Sequence, residues 1–391
     1  MGIIKGRHYK TGRNIVIHTA SGIITSIQEC AGEQDFIIAP GLFDNQVNGY
    51  KGVGFTDPAL DAAGIEKTVA ELQRVGVTTF LPTMITAPKS ILLRNLGIFR
   101  NAIGRNDANG RNDSNGRNDA SLRETIPGIH LEGPYINPEP GYRGAHNLKW
   151  IREPDIPEFD ELYEASGGKI CHLTLAPELD GAIELIKHCR DLGVTVGLAH
   201  HNANTEQIRN AVEAGAGLSV HLGNGIANII SRHQNPIWPQ LAHDGLMASL
   251  ITDGFHLTGE EVRSFYKVKG TEKTILTSDC TDLAGMPPGE YFWDEKNIVL
   301  EPEGVIRFPE QNVLAGAASP LIRNIGIMMN YTGCSLADAI DMASLNPARF
   351  HGLDDRGELA VGQRADFILF QMISDEIKLK MIIKGGQIII G

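Results

Sequence analysis

The chain has 391 residues, of which 42% are apolar and 21% are charged, a composition that is ordinary for a globular enzyme and excludes a disordered chain. Its formal net charge of −12 argues against general nucleic-acid binding, although it leaves room for a local basic pocket. No run of about 18 apolar residues occurs and the first residues lack the apolar core of a signal peptide, so we expect a cytoplasmic protein that does not enter a membrane.

Both ends of the chain are rich in short strand patterns, over 15–27 and 365–390. We therefore predict a small β domain built from 1–38 and 356–391. Between them, short apolar runs alternate with helical patterns, which is typical of parallel strands covered by helices. Eight runs are predicted as strands: 36–43, 78–83, 126–131, 170–176, 194–199, 218–222, 247–251 and 274–276. The predicted fold is α/β, a (β/α)8 TIM-type barrel over 39–355 with a small β-sandwich domain from both chain ends.

The sequence also predicts seven helices and one low-complexity segment. The predicted helices are 64–75, 89–103, 179–192, 205–214, 235–242, 259–268 and 335–344. A polar six-residue repeat, which begins Gly-Arg-Asn-Asp, fills 104–121. Such a segment cannot bury apolar area, so we predict a low-complexity surface loop and not a phosphate-binding loop.

Polar residues that can bind a metal or move a proton follow five of the predicted strands. They are Glu132 in the third strand, His200 and His221 at the fifth and sixth, Asp253 and His256 after the seventh, and Asp279 after the eighth. Side chains at the carboxyl ends of barrel strands face the active site. A Glu-His-His set with an aspartate is typical of a divalent metal site. Each residue alone is compatible with an ordinary hydrogen-bonded role, and we interpret Asp253 as a turn residue.

Several motifs carry a family resemblance. The run 39–44 (Ala-Pro-Gly-Leu-Phe-Asp) and the run 357–367 resemble the two junctions of the amidohydrolase superfamily. Within it, 130–134 (His-Leu-Glu-Gly-Pro), 173–178 and 314–316 resemble the N-acetylglucosamine-6-phosphate deacetylase family. The resemblance covers nearly the whole chain except the repeat. It implies hydrolysis of the acetamide of an N-acetylated amino sugar, with N-acetylglucosamine 6-phosphate as the first candidate, and it implies a homodimer.

The resemblance also implies one divalent metal ion per subunit, ligated by Glu132, His200 and His221. Zinc is the first expectation, and iron, manganese or cobalt would suit the same ligands. Many amidohydrolases have His-x-His after the first strand, where this chain has Gln46-Val47-Asn48. Amides replace imidazoles poorly as ligands, so we expect no second tightly held ion. His201 should not bind the same ion as His200, because successive strand residues face opposite sides.

Residue roles follow from the same resemblance. Asp279 would accept the proton of water and return it to the leaving amine, and His256 would polarise the acetyl carbonyl. The positions that match substrate-contacting residues of the family are Ala145, His146, Asn224, Gly225, Arg232, His256, Leu314, Ala315 and Gly316. Arg232 would bind the phosphate, with Arg143 as a second candidate. The alternative for Arg232 is a surface charge ahead of the helix 235–242.

Two other functions stay open at this point. One is a different amidohydrolase reaction, on a cyclic amide or an N-acyl amino acid. Many of those enzymes bridge two metals with a carboxylated lysine on the fourth strand, and the run 173–177 contains no lysine. The other is a non-catalytic scaffold with the same fold. The joint presence of Glu132, His200, His221 and Asp279 argues against it, and metal analysis would discriminate.

Overall fold

A barrel of eight parallel strands forms the centre of the molecule. The computed structural model describes residues 2–104, 120–293, 296–309, 313–374 and 376–390. The barrel strands are β1 (Leu42–Val47), β2 (Val77–Ile85), β3 (Ile129–Glu132), β4 (Ile170–Leu175), β5 (Thr195–Leu198), β6 (Ala216–Ser219), β7 (Met247–Leu250) and β8 (Thr274–Leu276). Each strand pairs with the next in chain order. A bridge between Val47 and Cys280, just past β8, brings the two edges together. The predicted TIM-type barrel is confirmed.

Helices pack around the barrel. They are α1 (Ala62–Gln73), α2 (Lys89–Ile103), α3 (Ala120–Thr125), α4 (Ile156–Ala165), α5 (Ala182–Asp191), α6 (Thr205–Ala214), α7 (Ile237–Ala242), α8 (Gly259–Lys269), α9 (Leu321–Thr332), α10 (Leu336–Met342) and α11 (Leu345–Phe350), with short 3-10 turns at Leu148–Trp150 and Thr271–Lys273. Local sequence explains where they begin. Asn204 accepts hydrogen bonds from the first turn of α6, and Gln207 bonds back to Asn204, which is a capping box. Ile208 and Ala211, three residues apart, are buried on the inner face of that helix.

A second sheet has seven strands and draws them from both ends of the chain. In sheet order they are Gln387–Ile390, Glu376–Lys384, Phe367–Ile373, Ile37–Pro40, Gly2–His8, Asn14–Ala20 and Ile23–Glu29. Ile37–Pro40 lies between the two groups, parallel to Gly2–His8 and antiparallel to Phe367–Ile373. This sheet is the small β unit expected from the chain ends. The limits 1–38 and 356–391 stay a prediction.

A set of ion pairs and hydrogen bonds ties the seven-stranded sheet to the barrel. The Lys384 ammonium donates to Asp366 at 2.9 Å and to the carbonyl of Thr78, near the start of β2, at 2.8 Å. Arg364 bonds to Asp366 at 3.1 Å and to Glu124 of α3 at 2.5 Å. We call this set of Lys384, Asp366, Arg364 and Glu124 the inter-sheet clamp. It contacts β2 at its amino end, so the carboxyl ends of the strands are left free for the site.

Three details of the sequence prediction are wrong. The run 36–43 is not one strand, because the chain leaves the small sheet at Pro40 and enters the barrel at Leu42. Gly41 makes that crossing, and a Cβ there would lie 2.2 Å from the Thr78 hydroxyl. Of the low-complexity segment, 105–119 lie outside the described residues, whereas 120 and 121 begin α3 and are not loop. Finally, four helices and one sheet were not predicted from the sequence: α3, α4, α9, α11 and a four-stranded antiparallel sheet of Gly289–Trp293, Lys296–Leu300, Val305–Phe308 and Val313–Ala317.

Candidate active site

Three strand-end residues share an unusual backbone conformation. His200, His221 and Asp279 have φ values of 53°, 36° and 49°, in the left-handed region that L-residues rarely occupy. Such a conformation costs about 1–3 kcal/mol and is found where the surroundings enforce it, commonly at functional sites. Here the main-chain N–H of His221 donates to the Ser249 hydroxyl at 2.7 Å, and that of Asp279 donates to the Gln46 carbonyl at 3.1 Å. Neighbouring strands therefore hold these turns in place.

Glu132, His200 and His221 form a buried cluster whose ligand atoms all lie within 4.8 Å of one another. The Oε1 atom of Glu132 is 2.8 Å from Nε2 of His221 and 3.3 Å from Nε2 of His200. Burial opposes ionisation, but hydrogen bonds to the two histidines hold the pKa of Glu132 well below its ordinary value. Among the residues the structure describes, this is the one such group of three.

The cluster fits a divalent metal ion. Nδ1 of His200 lies 2.9 Å from the carbonyl of Tyr142, and an N–H donated there leaves the Nε2 lone pair for a metal. A carboxylate with two imidazoles is a donor set that zinc and similar ions accept, with room for a further ligand. His201 is not part of the cluster. Its Nδ1 instead accepts from the main-chain N–H of Ala203 at 3.2 Å.

The amide pair on β1 contacts the two carboxylates of the site. Nε2 of Gln46 donates to Oε1 of Glu132 at 3.0 Å, and Nδ2 of Asn48 donates to Oδ1 of Asp279 at 2.7 Å. These roles were missed in the sequence analysis, which treated the pair only as poor ligands. The sequence feature that could have indicated these roles is that Gln46 and Asn48 occupy the positions of the His-x-His motif of many amidohydrolases. Asp44, two residues earlier, was missed as well, and its Oδ1 accepts from the Thr277 hydroxyl at 3.0 Å.

Asp279 lies in a buried, charged environment. Burial, followed by the charge of Glu132, raises the pKa of Asp279 to about 7, while His221, Asn48 and His256 act in the opposite direction. A cation at the cluster would favour the ionised form and lower this pKa. The expected ionised Asp279 at neutral pH therefore depends on the bound ion.

His256 is oriented by Asp253. Nδ1 of His256 lies 2.7 Å from Oδ2 of Asp253. Oδ1 of Asp253 also accepts the main-chain N–H groups of Phe255 and His256, at 2.8 and 3.0 Å. Burial alone would raise the pKa of Asp253, but the hydrogen bond and the charge of His256 outweigh burial and lower this pKa. The interpretation of Asp253 as a turn residue is incomplete, because the same side chain fixes the histidine.

Two glycines and a histidine surround the ring of His200. The ring of His146 packs against it edge to face with 4.5 Å between centroids, and Nδ1 of His146 lies 2.8 Å from the Thr86 hydroxyl. Burial, and then the charge of His200, lowers the pKa of His146 to about 3, so this ring is neutral. A Cβ on Gly225 would lie 2.6 Å from Nδ1 of His200, and one on Gly144 would lie 3.0 Å from its Cε1. Both positions require glycine.

Most of the remaining predicted substrate residues also lie near this cluster. The main-chain N–H of Asn224 donates to the His221 carbonyl at 2.9 Å. Ala317, which directly follows Leu314, Ala315 and Gly316, bridges to Cys280 beside Asp279. Ala145 packs into the same small apolar cluster as Ala315. The structure thus places the loops that follow β3, β6 and β8 together.

Arg232 is the exception. Its side chain is exposed, and its guanidinium has no hydrogen-bond or ion-pair partner in the described part of the chain. Its carbonyl accepts from the Trp238 indole at 3.3 Å. Arg143 is half-buried, and its guanidinium donates to the Pro138 carbonyl at 2.9 Å. Neither arginine contacts the cluster, so a role in phosphate binding stays a prediction for both.

A barrel with buried Glu, His and His ligands at its strand ends is the architecture of a metal-dependent hydrolase. The model of the amidohydrolase family matches residues 37–389, and the chain belongs to this family. No helix among the described residues is both long and apolar enough to span a bilayer.

Within this family, the chain is similar to deacetylases of amino sugar phosphates. The N-acetylglucosamine-6-phosphate deacetylase of Bacillus subtilis (strain 168) is 29% identical over 362 residues, 92% of this chain and 86% of that one. The N-acetylgalactosamine-6-phosphate deacetylase of Escherichia coli O157:H7 is 31% identical over 357 residues, 90% of this chain and 89% of that one. A variant of the N-acetyl-D-glucosamine-6-phosphate deacetylase of Mycobacterium smegmatis, solved in complex with N-acetyl-D-glucosamine-6-phosphate, superposes with a TM-score of 0.86 at 25% identity over all of both chains.

Proposed function

We propose that the protein hydrolyses the acetamide of an N-acetylated amino sugar 6-phosphate to acetate and the amino sugar phosphate. The observation that carries the proposal is the buried Glu132, His200 and His221 cluster beside Asp279. N-acetylglucosamine 6-phosphate is the first substrate expected, since relatives over about nine-tenths of the chain are named for it.

One divalent ion would be held by Glu132, His200 and His221. When bound, such an ion supplies Lewis acidity that lowers the pKa of water to roughly 7. Zinc is the ion we propose first, and iron, manganese or cobalt would suit the same donor set.

Asp279 is the proposed general base and acid. Asn48 binds its Oδ1 at 2.7 Å, which leaves Oδ2 for the proton of the attacking water. The water oxygen adds to the acetyl carbon, the C–N bond breaks, and the proton passes from Asp279 to the leaving amine. Assistance of this kind is typically worth about 10²–10⁴-fold in rate.

His256 is proposed to stabilise the oxyanion. Asp253 accepts the Nδ1–H of His256 at 2.7 Å, which leaves Nε2 as the ring atom that faces the substrate. In the imidazolium form, Nε2–H donates to the acetyl oxygen as negative charge develops there. One such donor is worth about 10²–10³-fold in kcat.

The sugar would be held by the residues around this cluster. We propose contacts from His146, Asn224, Gly225 and Ala145, and from the segment 314–316. Arg232 is proposed for the 6-phosphate because a guanidinium binds a phosphate dianion with two parallel hydrogen bonds. Arg143 is the second candidate.

N-acetylgalactosamine 6-phosphate is a second candidate substrate. The relative named for it is 31% identical over 90% of this chain, against 29% over 92% for the glucosamine enzyme of Bacillus subtilis. The two sugars differ only in the configuration at C4, which the deacetylation chemistry does not involve. The choice between them therefore depends on contacts away from the reacting amide.

Acetate release from a panel of substrates tests the proposal. The panel contains both epimers with and without the 6-phosphate, a cyclic amide and an N-acyl amino acid. The expected result is turnover of a phosphorylated N-acetyl sugar, with a higher KM for its unphosphorylated form. Turnover of the cyclic amide or the N-acyl amino acid alone would point to another amidohydrolase reaction. A metal-loaded chain inactive on every substrate would point to a scaffold.

Two expectations about the whole protein stay predictions. A homodimer would be recognised by sedimentation of the purified chain at twice the monomer mass. A cytoplasmic location would be recognised by fractionation of the source cells.

A further inference from the structure

Glu178, three residues past β4, has no part in the chemistry proposed above. Its Oε1 accepts a hydrogen bond from the side-chain amide of Asn137 at 2.8 Å and another from the main-chain N–H of Asn202 at 2.6 Å. Asn137 belongs to the loop after β3, and Asn202 to the loop after β5. A single carboxylate oxygen thus joins the loops of the two strands that lead to Glu132 and His200.

The turn that carries His200 is held on both sides by these residues. On one side, the main-chain N–H of Asn137 donates to the His200 carbonyl at 2.9 Å. On the other side, the N–H of Asn202, two residues later, donates to Glu178. His200 itself has a φ of 53°, which an L-residue keeps only where its neighbours enforce it. The carbonyl of Tyr142 fixes the ring separately, at Nδ1.

We infer that Glu178 is a positioning residue that holds His200 in its metal-binding geometry, an inference that rests on the metal site of the proposed function. The other oxygen, Oε2, is buried and has no hydrogen-bond partner among the described residues. The carboxylate therefore acts through Oε1 alone. Glutamine keeps an acceptor at that atom, whereas alanine removes it.

Zinc affinity of the full chain, measured by competition with a chromophoric chelator, tests this role. Glu178→Ala is expected to weaken zinc binding by about 10–100-fold, the range found when partners that orient metal ligands are removed. Glu178→Gln is expected to bind zinc close to the wild-type value. The matched control is Glu184→Ala, an exposed glutamate in the first turn of α5, which should leave zinc affinity unchanged.

The possible results separate this inference from the proposed function. Wild-type zinc affinity in Glu178→Ala overturns the inference, and so does an equal loss in Glu178→Gln, because the charge and not the acceptor would then matter. If Glu178→Ala does not fold, Asn137→Ala removes one of the two donors and should still weaken zinc binding; unchanged affinity there also overturns it. A wild-type chain that binds no zinc would refute the proposed metal site itself.

Discussion

At the scale of single residues, the site depends on how neighbours constrain a few atoms. Asp279 has one oxygen bound by Asn48 and its backbone held by Gln46, so it presents a fixed second oxygen. His200 is enclosed by Gly225, Gly144 and His146. Removing the proton acceptor Asp279 should therefore lower kcat, whereas disturbing the ring of His200 should weaken metal binding.

Asp279→Asn keeps the shape of the side chain and removes its basicity. We expect kcat to fall by at least about 10²-fold while zinc still binds, because general base assistance is lost and the ligands are intact. Steady-state acetate release and metal analysis of the same preparation would check this. Near-normal kcat with loss of zinc would instead identify Asp279 as a ligand.

Gly225→Ala should displace the ring of His200. The added Cβ would lie 2.6 Å from Nδ1, closer than real Cβ contacts allow. We expect weaker zinc binding and lower activity at limiting metal. Gly193→Ala is the matched control, since Gly193 also has a positive φ of 76° but has open space around it. Wild-type zinc affinity in Gly225→Ala would contradict this prediction. An equal loss in Gly193→Ala would mean that backbone strain, and not the contact with His200, is what matters.

At the scale of elements, the sequence predicts where the barrel strands and helices lie better than it predicts which strands pair with each other. Continuous apolar runs such as 170–176 are recognisable because a parallel strand is buried on both faces. The run 36–43 reads as one strand because it is apolar throughout. The structure divides it at Gly41, since Ile37–Pro40 pairs with Phe367–Ile373 at the other end of the chain and Leu42 begins the barrel strand that pairs with β2. The strand Lys296–Leu300 begins with two exposed polar residues, so its apolar pattern is too short to detect.

In the site, likewise, the positions of the ligands could be predicted but their long-range contacts could not. Strand-end ligands were predictable because parallel strands deliver their ends to one side of a barrel. The contacts of Gln46 with Glu132 and of Asn48 with Asp279 join residues 86 and 231 positions apart. Spacing along the sequence carries no information about such pairs, so their roles could only be read from the fold.

The inter-sheet clamp gives a prediction at this scale. Lys384→Met leaves the buried carboxylate of Asp366 with one fewer partner, and losing one member of a buried ion pair costs about 3–5 kcal/mol. We expect the free energy of unfolding in urea to fall by that amount. Lys378→Met, on the same strand, removes an exposed ion pair with Glu376 and should cost no more than about 1 kcal/mol. Similar losses in both variants would show that the clamp contributes little.

At the scale of the whole molecule, the buried interior contains a group of three histidine rings apart from the metal cluster. The ring of His172 lies 4.6 Å from that of His130 and 5.2 Å from that of His351, between centroids. Nδ1 of His172 is 2.8 Å from the Thr195 hydroxyl. Burial lowers the pKa of His172 from 6.5 to about 3 and lowers those of the other two as well. These rings are neutral in the folded protein at neutral pH.

These buried histidines make the stability of the protein sensitive to acid. Between pH about 6.5 and about 3 the unfolded chain binds a proton at His172 that the folded chain does not, so the free energy of unfolding falls as pH falls. At pH 5 the loss from this one residue is about 2 kcal/mol. Urea titrations from pH 8 to pH 5 should show a smaller decline in His172→Asn than in wild type. The exposed His233→Asn should keep the wild-type decline, and an unchanged slope in His172→Asn would contradict this assignment.

The strands of the seven-stranded sheet that are synthesised first pair with strands that are synthesised last. Strand Ile37–Pro40 pairs with Phe367–Ile373, some 330 residues later, and Lys384 completes the clamp against β2. While the ribosome is still translating the barrel, the newly made strands at the start of the chain have an unpaired edge at Ile37–Pro40. An exposed edge of this kind invites pairing with other chains. The earliest strands therefore keep this exposed edge until the last strands of the chain leave the ribosome.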